Sequence, residues 1–492
     1  MDILILIFLS SGLFLGWALG ANDAANVFGT AVGSRMVKFS TAAIVASIFV
    51  ILGATISGSG AAHTLGKLGE VNALGGAFVV SLSAALTVLV MTKCELPVST
   101  GQAVVGAIIG WNVFVGIDTD TQVLMNILFT WVLCPVLSAL MSVVIYLAVK
   151  GFLKHVKPHI LTLDWTSRAA LIIAGAFGSY SLGANNIANV MGVFVNAVSL
   201  DEITLASITF GTAEQLFLIG AIAIAIGIFT YSKRVMLTVG NSMMPLTPIT
   251  AGIVVMSHSV VLFLFASEGL EYAFASRGLP TIPLVPVSSS QAVVGAIIGI
   301  GLLKGGQELD WKVLGRIATG WVTTPPIAMV SSVLLLFCLQ NIFSLTVYSP
   351  LHYRVSPHVA EELSHRSAQE WDLSALYGAT YTDIRSFKAA LEPLSLSESA
   401  QQAVIELALL EPIKVDVSLL PHAWTESLSP ARLEALHALG AREYQHSWQL
   451  LKALTHTSSD WRSAEDTVLN KQYNRQLKQD YATLIRYSHQ AY

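Results

Sequence analysis

Two stretches far apart in this chain put amides where a lipid-buried helix should be apolar. Gly20-Ala21-Asn22-Asp23-Ala24-Ala25-Asn26-Val27 reads against Gly183-Ala184-Asn185-Asn186-Ile187-Ala188-Asn189-Val190. A second pair is Pro97-Val98-Ser99-Thr100-Gly101-Gln102 against Pro286-Val287-Ser288-Ser289-Ser290-Gln291, each followed by Ala-Val-Val-Gly-Ala-Ile-Ile-Gly. A third sets Trp131 to Pro135 against Trp321 to Pro325. Three pairs in the same order mean a duplicated half, so the fold must be built from two copies of one unit. Internal duplication with paired interrupted helices is the sequence signature of a secondary transporter.

The solvent these halves require follows from charge. Only 12% of the 492 residues are charged and 54% are apolar, against about 25% charged in soluble domains. This is the composition of an integral membrane protein. The first 340 residues carry 14 Lys+Arg and 14 Asp+Glu, and the remaining 152 carry 13 and 17. Charge density therefore more than doubles, which places a boundary near residue 343. The net charge of −4 averages two unlike regions and indicates no nucleic-acid partner. Cys94, Cys134 and Cys338 lie far apart without metal-ligand spacing and read as small apolar residues. The N-terminus is apolar from residue 3, with no basic region before it and no cleavage site after it, and reads as a retained helix.

A spanning helix takes about 20 mostly apolar residues. The expected spans are 3–33 (interrupted), 40–60, 72–92, 121–149, 168–198 (interrupted), 203–230, 248–270 and 314–342. Segments 97–116 and 286–303 begin with Pro and a hydroxyl cluster and are either full spans or re-entrant hairpins. Re-entrant backbone is tolerated only where protein or a wet cavity covers it. Loop 150–168 carries Lys150, Lys154, Lys157 and Arg168 against Asp164, and loop 231–247 carries Lys233 and Arg234. Both are expected on the cytoplasmic side. We divide the chain into a first repeat at 1–150, a second at 168–342 and a soluble helical domain at 343–492. In the last, Ser429 and Pro430 mark a helix start, with Leu433, Leu436, Leu439 and Tyr444 at roughly helical spacing. Residues 458–488 also read as helical. The fold class is thus an all-α integral membrane protein, a duplicated helical bundle with broken helices and hairpins, plus a small all-α soluble domain.

Chemistry concentrates in the matched motifs. Asn22, Asn26, Asn185 and Asn189 offer both acceptors and donors. Asp23 is the only acid of its span, and an intramembrane carboxylate is a functional-site hypothesis by default. The plainer alternative, that these side chains only bridge broken helices, weakens when the cluster occurs twice. Ser99-Thr100 and Ser288-Ser289-Ser290 each sit at a helix start, where free N–H groups and the helix dipole attract anions. Gln102 and Gln291 follow both times. Ordinary N-capping by Ser99 and Ser288 is the competing reading. His63 and His258 lie in or beside apolar segments and read as packed residues. The eight histidines after residue 343 are scattered without ligand spacing and suggest no metal. No nucleotide-binding or hydrolase fingerprint appears in its required context, and no enzyme activity is expected.

The motifs Gly20 to Ser34 and Pro97 to Gly110 together resemble the PiT family of inorganic phosphate transporters, which also includes sulfate permeases. Lys233 to Gly240 looks like that family's basic motif, and the likeness extends over about residues 1–342. The resemblance implies an inverted-repeat, dimeric symporter of the cell (inner or plasma) membrane, moving phosphate with Na⁺ or H⁺ and needing no other cofactor. By match, the substrate site involves Asn22, Asp23, Asn26, Ser99, Thr100, Gln102, Asn185, Asn186, Asn189, Ser288, Ser289, Ser290 and Gln291. The coupling cation falls to Asp23, Asn22 and Asn185. The C-terminal domain, outside the likeness, is expected on the cytoplasmic side. Two departures remove titratable groups: the family usually has Asp at the position of Asn186, and His at those of Gln102 and Gln291. Phosphate near neutral pH keeps a proton and profits from a carboxylate acceptor. Sulfate does not, so Asn186 keeps a sulfate permease open as an alternative. An anion channel and a membrane sensor are the alternatives of another class.

Overall fold

The computed structural model describes the chain except residues 1–2, 70, 95–97, 157, 196, 199, 201–202, 206–207, 368–370, 395, 441, 466 and 489–492. Pro97, one of the motif prolines, lies outside the described residues, as does the side chain of His63. Contacts divide the chain into two compact units, Met1–Ser349 and Pro350–Tyr492.

The first unit is a helical membrane body. Its elements are α1 (Ile3–Asn22), α2 (Ala24–Gly33), α3 (Phe39–Ser57), α4 (Ser59–Leu68), α5 (Leu74–Lys93), α6 (Thr100–Val115), α7 (Thr121–Val156) and α8 (Ile160–Val195). There follow the strands β1 (Ile203–Leu205) and β2 (Ile208–Phe210), then α9 (Thr212–Thr230), α10 (Ser232–Ser242), α11 (Pro248–Leu264), α12 (Glu268–Ala275), α13 (Ser289–Leu303) and α14 (Trp311–Asn341). Among the described residues seven helices are long and apolar enough to cross a membrane, counting α1–α2 as one, and α11–α12, bent by 68°, would make an eighth. The helices α6 and α13 have 16 and 15 residues, about 24 and 22 Å at 1.5 Å per residue, short of a hydrocarbon core of about 30 Å. The chain at 279–288, without regular secondary structure, leads into α13. The hairpin reading of 97–116 and 286–303 fits these lengths better than full spans.

Two expectations need correcting, and the interruption expected within 3–33 is present. The second interruption does not occur: α8 runs unbroken through Asn185 and Asn189. Its amides find partners without unwinding the backbone, because Asn186 Nδ2 donates to Leu182 O at 3.2 Å and Asn189 Nδ2 to Asn186 Oδ1 at 3.0 Å. The first interruption is a single residue, Asp23, with helical φ and ψ of −77° and −26°. There the ladder tightens for one step, Asn26 N donating to Asp23 O at 3.0 Å. Finally, the span expected at 203–230 starts at Thr212, because β1 and β2 precede it as an antiparallel pair with Ile203 opposite Phe210.

Helices pair across the two matched halves. The pairs α1–α9 and α3–α8 pack, as do α6–α14 and α7–α13. Glycines permit the closest crossings. A Cβ on Gly106 would overlap the Pro325 carbonyl, and one on Gly295 the Pro135 carbonyl. Gly110 and Gly299, one turn further on, meet Met329 O and Ala139 O in the same way. Glycines four apart are the device by which membrane helices approach at backbone distance. Each identical Gly-x-x-x-Gly run thus lies on the proline-bearing helix of the other half.

The second unit holds α15 (Pro357–Ser367), α16 (Ile384–Leu391), α17 (Glu398–Ala408), α18 (His422–Ser427), α19 (Pro430–Leu439), α20 (Ser447–Thr457) and α21 (Lys471–Ser488). It is not purely α-helical: β3 (Tyr353–Arg354) pairs with β4 (Thr380–Tyr381), and β5 (Ile413–Lys414) with β6 (Glu443–Tyr444). Ser429 caps α19, accepting from Arg432 N at 3.3 Å. That helix stops at Gly440, whose φ is +56°, so Tyr444 falls in β6. Its core includes a buried ion pair, Arg432 Nη1 to Asp480 Oδ2 at 2.6 Å. The indole of Trp461 lies beneath that guanidinium, 5.2 Å away.

Candidate functional site

The site forms where the starts of the two short helices meet the Asn-bearing helices. Ser99 accepts from Gln102 N at 3.4 Å and Ser288 from Gln291 N at 3.2 Å, so both serines cap their helices. Capping uses an oxygen lone pair and leaves the hydroxyl proton for another partner. Ser288 Oγ and Ser290 Oγ lie 3.0 Å apart. The first turn of α6 reaches the membrane carboxylate: Thr100 Oγ1 donates to Asp23 Oδ2 at 2.8 Å. The first turn of α13 reaches the neighbouring amide: Asn26 Nδ2 donates to Ser289 Oγ at 3.3 Å. One helical segment, Asp23 to Asn26, therefore touches both short helices at their N-termini.

The helix α8 approaches from the other side. Asn189 lies over Gly101 at the start of α6. Asn185 secures the chain entering α13, donating to Val285 O at 3.4 Å and accepting from Val287 N at 3.0 Å. Asn22 points elsewhere, donating to Thr92 Oγ1 on α5 at 3.1 Å. The structure thus joins Asp23, Asn26, Thr100, Ser289 and Asn189 in one cluster, while Asn22 contacts neither short helix through the bond it makes. None of the thirteen expected site residues is more than 4% exposed. The site's side chains are almost wholly buried.

One residue read as mere packing belongs to the cluster. His258 on α11 is fully buried, with Nε2 3.0 Å from Ser289 Oγ. Ser289 therefore takes contacts from both Asn26 and His258. A histidine inside an apolar run carries no partner information in sequence; Ser289 is 31 positions away and meets it only in the folded bundle.

Donors and acceptors both face inward. Two helix N-termini and the hydroxyls of Ser99, Ser288, Ser289 and Ser290 supply donors suited to an oxyanion. Asp23 supplies one carboxylate. The amide oxygens of Gln102, Asn189 and Gln291 are buried without a protein partner among the described residues. Buried acceptors of this kind suit a hard cation or the hydroxyl of a protonated oxyanion.

Seven membrane-length helices with two buried half-helix starts facing polar helices define a helical membrane carrier. The model of the phosphate transporter family matches residues 19–332, most of the chain and the whole of the site, so the chain belongs to that family. A protein of Methanocaldococcus jannaschii provisionally named a phosphate permease is 29% identical over 318 residues, 64% of this chain and 92% of that protein. A Pyrococcus abyssi protein of the same provisional name is 24% identical over 411 residues, covering 68% and 98%. A solved structure titled a sodium-dependent phosphate transporter superposes with a TM-score of 0.55 at 24% identity, over 69% of this chain and all of that one. The last likeness bears on the fold.

Proposed function

We propose that this protein carries inorganic phosphate across the cell membrane as a cation-coupled symporter, with Na⁺ as the coupling ion. The observation that supports this most is the double contact of the Asp23–Asn26 segment, Asp23 with Thr100 on α6 and Asn26 with Ser289 on α13. An anion held by the two helix starts and a cation held at Asp23 would neutralise each other in a buried site. Neither would then cross the low-dielectric interior as a bare charge. Family membership supports phosphate as the substrate, and the name of the structural relative supports sodium. On this reading the two halves are inverted repeats and the chain works as a homodimer.

The test is uptake of radiolabelled phosphate and sulfate into proteoliposomes, with and without an inward Na⁺ gradient and with an imposed pH gradient. Phosphate accumulation driven by sodium supports the reading. Accumulation driven only by the pH gradient replaces Na⁺ with H⁺. Sulfate accumulation with phosphate ignored overturns the substrate, and gradient-independent flux overturns symport in favour of a channel.

A further inference from the structure

We propose that a groove at the basic end of α7 binds an anionic phospholipid. The groove, about 410 Å³, lies between α7, the start of α11 and the end of α13. Lys150, Lys154 and Lys304 line it, and the carboxylate nearest to them is that of Glu308, 3.4 Å from Lys304 Nζ and outside the lining. Its walls are mostly apolar, with Val149, Leu153 and Ile253 among them, and also include Tyr146, Thr247 and Thr250. Lys150 and Lys154 are one turn apart. They close a 36-residue helix of about 54 Å, longer than the hydrocarbon core, so its basic end emerges at headgroup level. A cationic rim over a mostly apolar wall at that depth matches a phosphodiester with its acyl chains, whereas a free anion would gain nothing from the wall. Basic pockets between helices on the cytoplasmic side are where anionic headgroups dock.

The duplication supplies an independent argument that the groove takes an occupant. The Trp131/Trp321 register sets Tyr146, Val149 and Lys150 of α7 opposite Leu336, Leu339 and Gln340 of α14. In that second half the matching place is filled by the protein's own chain. Thr346 and Val347 lie against Gly75 and Gly76 at the start of α5. The indole of Trp111 on α6 donates to Val347 O at 3.4 Å, and Val347 is 1% exposed. After α7 the chain instead turns directly into α8, and the equivalent groove stays open with lysines around it.

The test is native mass spectrometry of the full-length protein purified in detergent and supplied with phosphatidylglycerol, phosphatidylcholine or inorganic phosphate. The expected result is one phosphatidylglycerol retained per chain in preference to phosphatidylcholine. Lys150→Gln, Lys154→Gln and Lys304→Gln together should lower that retention at least about tenfold, and Lys→Arg at the three positions should restore it. Leu153→Trp, which fills the groove with the charges kept, should lower it too. Equal retention by the triple Gln variant would overturn the proposal. Displacement of the lipid by inorganic phosphate, with Leu153→Trp silent, would overturn it in favour of a free-anion site.

Discussion

Thr100 gives its hydroxyl proton to Asp23 at 2.8 Å, linking the membrane carboxylate to the first turn of α6. On the function proposed above, cation coupling and anion binding would be one bond apart, and a change at either residue should register in both.

Asp23→Asn keeps the side chain's shape and removes its charge. Sodium-driven phosphate accumulation should fall at least about tenfold, a loss of ~1.4 kcal/mol or more in coupling, while the purified protein keeps its thermal midpoint. Uptake against sodium concentration is the measurement; wild-type coupling in the variant would remove Asp23 from the mechanism.

Ser99→Ala with Ser288→Ala deletes both caps and both hydroxyl donors. Each cap is worth about 1 kcal/mol, and each lost bond to a charged ligand about 1.5–3 kcal/mol. The expected outcome is a KM for phosphate raised about tenfold or more with the maximal rate less affected. An unchanged KM would leave the two serines as caps alone.

Asn186 donates to Leu182 O and accepts from Asn189. Asn186→Asp loses the first bond, keeps the second and adds a carboxylate to the site. The ratio of phosphate to sulfate uptake should rise, since only phosphate retains a proton to share near neutral pH. A competition assay with both labels decides it, and a constant ratio would discredit the charge argument.

Gly295→Ala puts a methyl group into the Pro135 carbonyl, and Gly106→Ala puts one into that of Pro325. Overpacking of this kind costs about 1–3 kcal/mol. Both variants should lower the melting temperature, whereas Gly151→Ala, with nothing within 4 Å, should not.

His446 in the second unit is held below its ordinary pKa chiefly by burial, against the opposing bond from Nδ1 to Leu409 O at 2.7 Å. A depressed histidine favours the folded state fully above its unfolded value of about 6.5. Below that value the unfolded chain takes up the proton first, so stability falls as pH drops through 6.5 toward the folded pKa. Denaturant unfolding followed by tryptophan fluorescence should show this loss, and His446→Gln should reduce its slope.

Much of the site was legible because its signals are local. Ser99 and Ser288 announce the starts of α6 and α13 by the same cap-and-glutamine pattern, and both helices begin one residue later. The contacts of His258 with Ser289 and of Asn26 with Ser289 were not legible, since they join elements distant in sequence. The unbroken course of α8 was missed for a subtler reason. An Asn-rich run reads alike whether its amides bond a ligand, an unwound backbone or the helix's own carbonyls. The change in charge density near residue 343 marks the end of α14, yet residues 346–349 still pack on the membrane unit, Ser349 N donating to Asn72 Oδ1 at 3.0 Å. Isolated bonds of that kind leave no compositional trace.

The crossings of Gly106 on Pro325 and Gly295 on Pro135 also bear on ancestry. Each half buries its glycine face against the other, so a gene encoding a single half would lack that cover. The smallest assembly meeting both contacts from such a gene is two copies of its product. Fusion would then have tied together a partnership that already existed between separate chains. Severing the chain between α7 and α8 and co-expressing the pieces would ask whether the halves can still find each other.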